Sequence, residues 1–124
     1  MLDLKNKVVA VVGVSEDLSK YGHKIYKTLH VAKINVYAVG KRGGAILGQT
    51  IYKTLGEIPQ KPEFVILVVP PPATVAVVEE AVKLGVKEVW FQPGAENKEA
   101  EQLAKDNGLK ATSHACVMVQ GGFW

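Results

Sequence analysis

Val8-Val-Ala-Val-Val-Gly-Val-Ser15 decides the fold. Five consecutive apolar residues, Val8 to Val12, stop at Gly13 without any polar alternation. A strand with one face in water alternates, whereas a parallel strand covered by helices on both faces reads as a continuous apolar run. Outward from this stretch, apolar runs alternate with segments of helical period, the signature of an α/β domain. Asn35 to Val39 is a second strand closed by Gly40. Phe64 to Val69 is a third, stopped by Pro70-Pro71-Pro72, which cannot donate ladder hydrogen bonds. Glu88 to Gln92 is a fourth, halted by Pro93-Gly94, and Lys110 to Ser113 is a fifth, which Val117 to Val119 could extend. Between them, Ile25 and Leu29, then Val75, Val78 and Val82, then Ala100, Leu103 and Ala104 mark the buried stripes of three helices. The stretch Gly40 to Pro59 reads as irregular, with one helical turn at the capping-box pattern Thr54-Leu-Gly-Glu57. These spacings predict a three-layer, Rossmann-like α/β fold over residues 1–124, with a five-stranded, mainly parallel sheet in the order 3-2-1-4-5.

Composition narrows the function. With 124 residues, 48% apolar and 22% charged, the chain is an ordinary globular sequence, which excludes disorder. A net charge of +3 does not imply nucleic acid, but suits a small polyanion if the charge is clustered. The longest apolar run, Phe64 to Val69, is far short of the roughly 18 residues of a membrane span. The first residues lack a signal-peptide core, so a cytoplasmic protein with no membrane partner is expected. Cys116 is the only cysteine, which excludes an internal disulfide and a Cys₄ zinc site. His23, His30 and His114 have no metal-ligand spacing, so no metal is expected.

Ligands of open α/β sheets bind outside the carboxyl ends of the strands, and the unusual residues of this chain cluster there. Gly13-Val14-Ser15 follows the first strand, where a glycine lets a phosphate approach the next helix N-terminus, although the pattern is not G-x-G-x-x-G. NAD-binding domains place an acid near the end of the second strand for the ribose hydroxyls. Here that end reads Val39-Gly40-Lys41-Arg42, with no acid until Glu57. Lys41 and Arg42 suit a ribose phosphate, either the 2′-phosphate of NADP or the 3′-phosphate of coenzyme A (CoA); the alternative is a solvated basic turn.

Val9-Ala-Val-Val-Gly-Val-Ser15, Lys20-Tyr-Gly22, Ile46-Leu-Gly48 with Thr54-Leu55 and Ile58-Pro59, Val89-Trp-Phe-Gln-Pro-Gly94 and Cys116 occur in this order. In this the chain resembles the stand-alone CoA-binding proteins, which are similar to the N-terminal CoA-binding domain of the succinyl-CoA synthetase α chain. The resemblance implies CoA or an acyl-CoA as ligand and a place for each of its parts. Gly13, Val14 and Ser15 with Lys20, Tyr21 and Gly22 would cradle phosphates. Gly40, Lys41 and Arg42 would hold the adenosine 3′-phosphate. Val69, Pro70 and Pro71 would lie along adenine and pantetheine, Gln92 and Gly94 would flank the pantetheine arm, and Cys116 would approach the thiol. The family's usual Asn-Pro-Lys after the second strand is Gly40-Lys41-Arg42 here, and His114-Ala115 replaces the usual polar pair before the cysteine. The phosphohistidine of the synthetase lies in a second domain, so no catalysis by this chain alone is implied. The other readings are an NADP-dependent oxidoreductase and a CoA-binding subunit or regulator of a larger acyl-CoA synthetase; homo-oligomerisation is open.

Cys116 has three readings: a buried structural residue, a partner for a mixed disulfide with the CoA thiol, or a nucleophile sharing a strand face with His114. Glu79, Glu80, Glu99 and Glu101 read as solvated helix exteriors, and Trp90 as core. The Gly121-Gly122-Phe123-Trp124 tail has two large apolar groups that could pack on the domain or on a partner.

Overall fold

The computed structural model describes residues 2–124. Strand β1 (Val8–Val12) lies in the middle of a seven-stranded sheet of order β3-β4-β2-β1-β5-β6-β7. Its two faces go to two cores. Val9 and Val11 meet Ile25, Tyr26 and Leu29 of α1 (Tyr21–Val31) on one side. Ala10 and Val12 meet Val78 and Ala81 of α2 (Pro71–Leu84) and Ala100 and Ala104 of α3 (Lys98–Asp106) on the other. Burial on both faces is the physical reason for the unbroken apolar run. The helices end as their sequences direct: Pro71 opens α2 and Gly85 closes it in the left-handed conformation, while Asn97 caps α3 by accepting the Ala100 N–H.

The Rossmann-like, parallel-dominated α/β class is as expected, but the strand count and order are not. The Phe64 strand, β5 (Phe64–Leu67), does not sit outside β2 (Asn35–Val39). It pairs with β1 directly, Val9 opposite Phe64 and Val12 opposite Leu67. The place beside β2 belongs to β4 (Gln49–Tyr52), which pairs parallel with it through Ala38–Ile51 and Val39–Tyr52. A two-residue turn, Leu47-Gly48, with φ of 50° and 76°, joins β4 to β3 (Ala45–Ile46), so part of the stretch read as irregular is a tight hairpin. On the other side follow β6 (Glu88–Phe91) and β7 (Lys110–Thr112), both parallel. The chain therefore grows outward through β1, β2 and β4 and then returns across the sheet to β5. The switch point lies between β1 and β5.

Val117 to Val119 do not extend the fifth strand. Val117–Gln120 forms a short helix, α4, whose Val117 and Met118 enter the α1-side core. Thr54 to Glu57 does make one turn, a 3₁₀ turn at Leu55–Glu57, but without the expected capping box: the Thr54 hydroxyl donates to the Glu57 carboxylate. Glu80 of α2 closes this turn by accepting the Leu55 and Gly56 N–H groups, so it is not simply a solvated residue. Glu101 is likewise half-buried and accepts from the Ser113 hydroxyl. Trp90 is core, its indole N–H donating to the Ala115 carbonyl. Phe123 packs on the same core, and Trp124 lies along α1 with its indole N–H on the Thr28 hydroxyl.

At the switch point the backbone approaches itself more closely than any Cβ allows. A methyl on Gly22 would fall 2.1 Å from the Gly13 carbonyl oxygen, and one on Gly40 would fall 2.0 Å from that of Val14. Both obstacles are backbone atoms and cannot swing aside. Gly22→Ala and Gly40→Ala are therefore each expected to lower unfolding free energy by about 1–3 kcal/mol in denaturant titrations. Gly56→Ala, whose new methyl would meet only the Glu80 carboxylate at 3.5 Å, stays within about 0.5 kcal/mol.

Candidate functional site

The loop from Gly13 to Lys20 is built from local hydrogen bonds. The Gly13 and Val14 N–H groups both donate to the Val39 carbonyl, at 2.8 and 3.0 Å, which binds the end of β1 to the end of β2. These two amides are thereby engaged. The Ser15 carbonyl accepts from Nδ1 of the buried His23 at 2.8 Å, so that nitrogen carries the proton. The Ser15 hydroxyl accepts from the Asp17 N–H. The Ser19 hydroxyl and N–H both donate to the Asp17 carboxylate and hold its pKa below the usual carboxylate value.

This loop delivers the start of α1. Tyr21, Gly22 and His23 occupy the first turn, where a helix has no carbonyl to offer their amides. Lys20 stands at the N-cap with no side-chain cap among the described residues, and the first turn holds no acid. A cationic N-cap is the opposite of what the helix dipole selects. Three amides without intrahelical acceptors and a lysine thus stand at an uncapped helix N-terminus, the kind of end at which anions are favoured.

Lys41 and Arg42 lie on the turn after β2, closed by the Gly43 N–H on the Gly40 carbonyl. Both are exposed, and among the described residues neither is ion-paired. Glu16 reaches this segment from the β1–α1 loop and accepts the Ala45 N–H at 2.9 Å. An acid therefore meets the segment that follows the second strand, at Gly44 and Ala45, contributed by a different part of the chain.

Farther along the edge, Val68, Val69, Pro70, Gln92, Pro93, Gly94 and Ala95 line an open cleft of about 190 Å³. The buried Gln92 joins it to the cysteine. Its Oε1 accepts the Val117 N–H at 2.6 Å, and its Nε2 donates to Cys116 Sγ at 3.5 Å. Burial is the largest influence on the thiol and raises its pKa. The hydrogen bonds from Gln92 and from the Val119 and Met118 N–H groups together outweigh burial and hold the thiol below its ordinary value. His114 does not share a strand face with Cys116, because β7 ends at Thr112. It sits in the left-handed region at φ 62°, exposed, with Nδ1 3.7 Å from the Glu96 carboxylate, which in turn accepts the Gly94 N–H.

The structure therefore gathers the expected residues into three groups along one edge. Gly13, Val14, Gly22 and Gly40 form the packed junction, with Ser15, Lys20 and Tyr21 on the loop and helix that leave it. Lys41 and Arg42 occupy the turn beyond β2. Val69, Pro70, Gln92 and Gly94 share the cleft, Cys116 touches Gln92, and Pro71 starts α2. Gly22 and Gly40 serve close packing. Glu16 was not singled out from sequence as a site-shaping residue; nothing in local spacing marks it, since its partner is 29 residues away.

Residues 7–122 match the CoA binding domain family. The chain belongs to that family. Its relatives include the acetate–CoA ligase [ADP-forming] I of Archaeoglobus fulgidus, 31% identical over 121 residues, covering 90% of this chain and 18% of the ligase. The α subunit of acetate–CoA ligase [ADP-forming] I of Pyrococcus furiosus is 34% identical over 116 residues, covering 84% of this chain and 25% of the subunit. The chain thus spans a quarter or less of these two ligase chains. Among solved structures, a hypothetical protein from Pyrococcus horikoshii OT3 superimposes with a TM-score of 0.89 at 34% identity, covering 94% of this chain and 82% of that one. Among the described residues no helix is long and apolar enough to cross a membrane.

The Cys116 environment has a measurable consequence. The pH profile of alkylation by iodoacetamide is expected to have its midpoint below that of an ordinary free thiol measured alongside. Gln92→Met, which removes the Nε2 donor, moves the midpoint upward; an unchanged midpoint contradicts the assignment of Gln92 as a cause.

Proposed function

We propose that the chain binds CoA or an acyl-CoA along the carboxyl edge of the sheet, as a binding module with no catalysis of its own. The observation that carries this reading is the uncapped N-terminus of α1, together with an unpaired Lys41–Arg42 turn after β2, in a chain of the CoA binding domain family. In this reading the diphosphate takes the Tyr21, Gly22 and His23 amides and Lys20. The 3′-phosphate takes Lys41 and Arg42. The pantetheine arm runs through the cleft at Val69, Pro70, Gln92 and Gly94, and its thiol ends near Cys116.

Charge distribution supports the same placement. From Leu18 to Gly56 the chain carries seven cations and no acid, a segment spanning α1, β2 and the hairpin. Of these, Lys20, Lys41, Arg42 and Lys53 follow the carboxyl ends of β1, β2 and β4, where they attract a polyanion, whereas Lys33 lies at the opposite edge. That the matched relatives include ligase α subunits supports a second reading, in which the module serves as a subunit or regulator of a larger synthetase. Ligase activity that appears only on mixing with a nucleotide-binding subunit would favour it.

Calorimetry with CoA, dephospho-CoA and NADP⁺ tests the leading reading. CoA is expected to bind, with dephospho-CoA roughly tenfold weaker or more because charge-assisted contacts to the 3′-phosphate are lost. Lys41→Ala combined with Arg42→Ala removes the difference between the two. Raising salt weakens CoA binding, since the cations are exposed. Failure of CoA to bind overturns the proposal, and tight NADP⁺ binding without CoA binding replaces it with the oxidoreductase reading.

The thiol end carries its own expectation. Incubation with CoA disulfide yields a mixed disulfide: the Cys116 thiolate attacks one sulfur, the S–S bond breaks, and one CoA leaves as its thiol. Intact mass then rises by one CoA and returns to the original value on reduction. No adduct on the wild-type protein, or the same adduct on Cys116→Ser, rules this out.

A further inference from the structure

Lys41 and Arg42 account for a phosphate but not for the ribose that bears it. In dinucleotide-binding sheets, a carboxylate at the end of the second strand takes the ribose hydroxyls. Here neither β2 nor the Gly40-Lys41-Arg42-Gly43-Gly44 turn supplies one. Glu16 of the β1–α1 loop brings one to the far end of this turn, at Gly44 and Ala45. One of its oxygens, Oε2, is fixed by the Ala45 N–H at 2.9 Å. The carboxylate lies over Gly44, with Oε2 2.8 Å from where a Cβ would stand, and the φ of 99° there is one that glycine adopts readily.

Two features leave this carboxylate available to a ligand. Glu16 is exposed, and among the described residues Oε1 has no hydrogen-bond partner. Lys41 and Arg42, on the same turn, form no ion pair with it. The segment Gly40 to Ala45 thus carries at one end two cations outside any ion pair among the described residues, and receives at the other a carboxylate with one oxygen in use. Their complement is a ligand that carries a hydroxyl donor beside a phosphate.

We infer that Glu16 is a specificity residue, selecting a ribose with a free 2′-hydroxyl and a 3′-phosphate over the reverse arrangement. The inference rests on the CoA-binding reading above. With the diphosphate on α1 fixing the direction of the adenosine, Glu16 Oε1 accepts the 2′-hydroxyl while Lys41 and Arg42 take the 3′-phosphate. A 2′-phosphate would instead face the carboxylate, an anion against an anion.

Adenosine 3′,5′-bisphosphate and adenosine 2′,5′-bisphosphate are the probes, titrated alongside CoA into the wild type and Glu16→Gln. Glutamine keeps an oxygen for the Ala45 N–H, so the variant retains the loop and its melting temperature, and only the charge is removed. The wild type is expected to prefer the 3′,5′ isomer by roughly tenfold or more, and the variant to bring the two within roughly threefold of each other. If CoA binds but Glu16→Gln leaves the preference unchanged, or if the wild type favours the 2′,5′ isomer, the role of Glu16 is refuted and the CoA reading stands. If the wild type fails to bind CoA itself, the underlying reading fails and this inference with it.

Discussion

The close packing of backbone on backbone at the switch point is the constraint on which the rest of the edge depends. Gly13 turns at φ 109° and lies against the Val68 carbonyl, Gly22 rests on the Gly13 carbonyl, and Gly40 rests on that of Val14. The ends of β1, β2 and β5 and the start of α1 are thereby drawn together with no side chains between them. Two amides on the Val39 carbonyl and His23 on Ser15 lock the same loop from its other sides. Protein interiors resist even a single added methylene, and here the added carbon would meet backbone. The open helix N-terminus, the basic turn and the cleft all inherit their positions from this junction.

The groups along the edge differ in chemistry, and two of them hold polar groups without a partner among the described residues. The first turn of α1 has donors and a lysine in place of a capping acceptor. The turn beyond β2 has two cations without ion pairs and a carboxylate with one oxygen in use. At the other end, Gln92 uses both ends of its amide, one to fix α4 and one to donate to the Cys116 sulfur. A flexible, polyanionic thiol matches this series from one end to the other, which is why membership of the CoA binding domain family and the local chemistry lead to the same proposal.

Much of this was legible in the sequence because the relevant signals are local. The unbroken run Val8 to Val12, the glycine that ends it and the proline stop after the third apolar run depend only on neighbouring residues. The order of strands does not. Gln49–Tyr52 is a short strand with only Ile51 buried, so its apolar content is too small to announce it, although Thr50 and Ile51 favour extended chain. With β4 unseen, the place beside β2 fell to the Phe64 strand, and the order was wrong. Val117 to Val119 look like a strand by composition, yet their burial in the α1-side core is met by a helical turn. Glu16 and Glu80 act on backbone 29 and 25 residues away, contacts that exist only once the sheet has brought the loops together. The sequence after the second strand thus lacks an acid of its own, and the fold brings Glu16 to Gly44 and Ala45 from another loop.

An amide-resolved NMR titration with CoA locates the ligand on the protein and decides whether it lies along the carboxyl edge. Shifts concentrated at Tyr21, Gly22 and His23, at Lys41 and Arg42, and at Gln92 and Gly94 are the predicted result. Shifts concentrated instead at the opposite edge, around the cleft lined by Lys7, Glu63, Glu88 and Lys110, would contradict it.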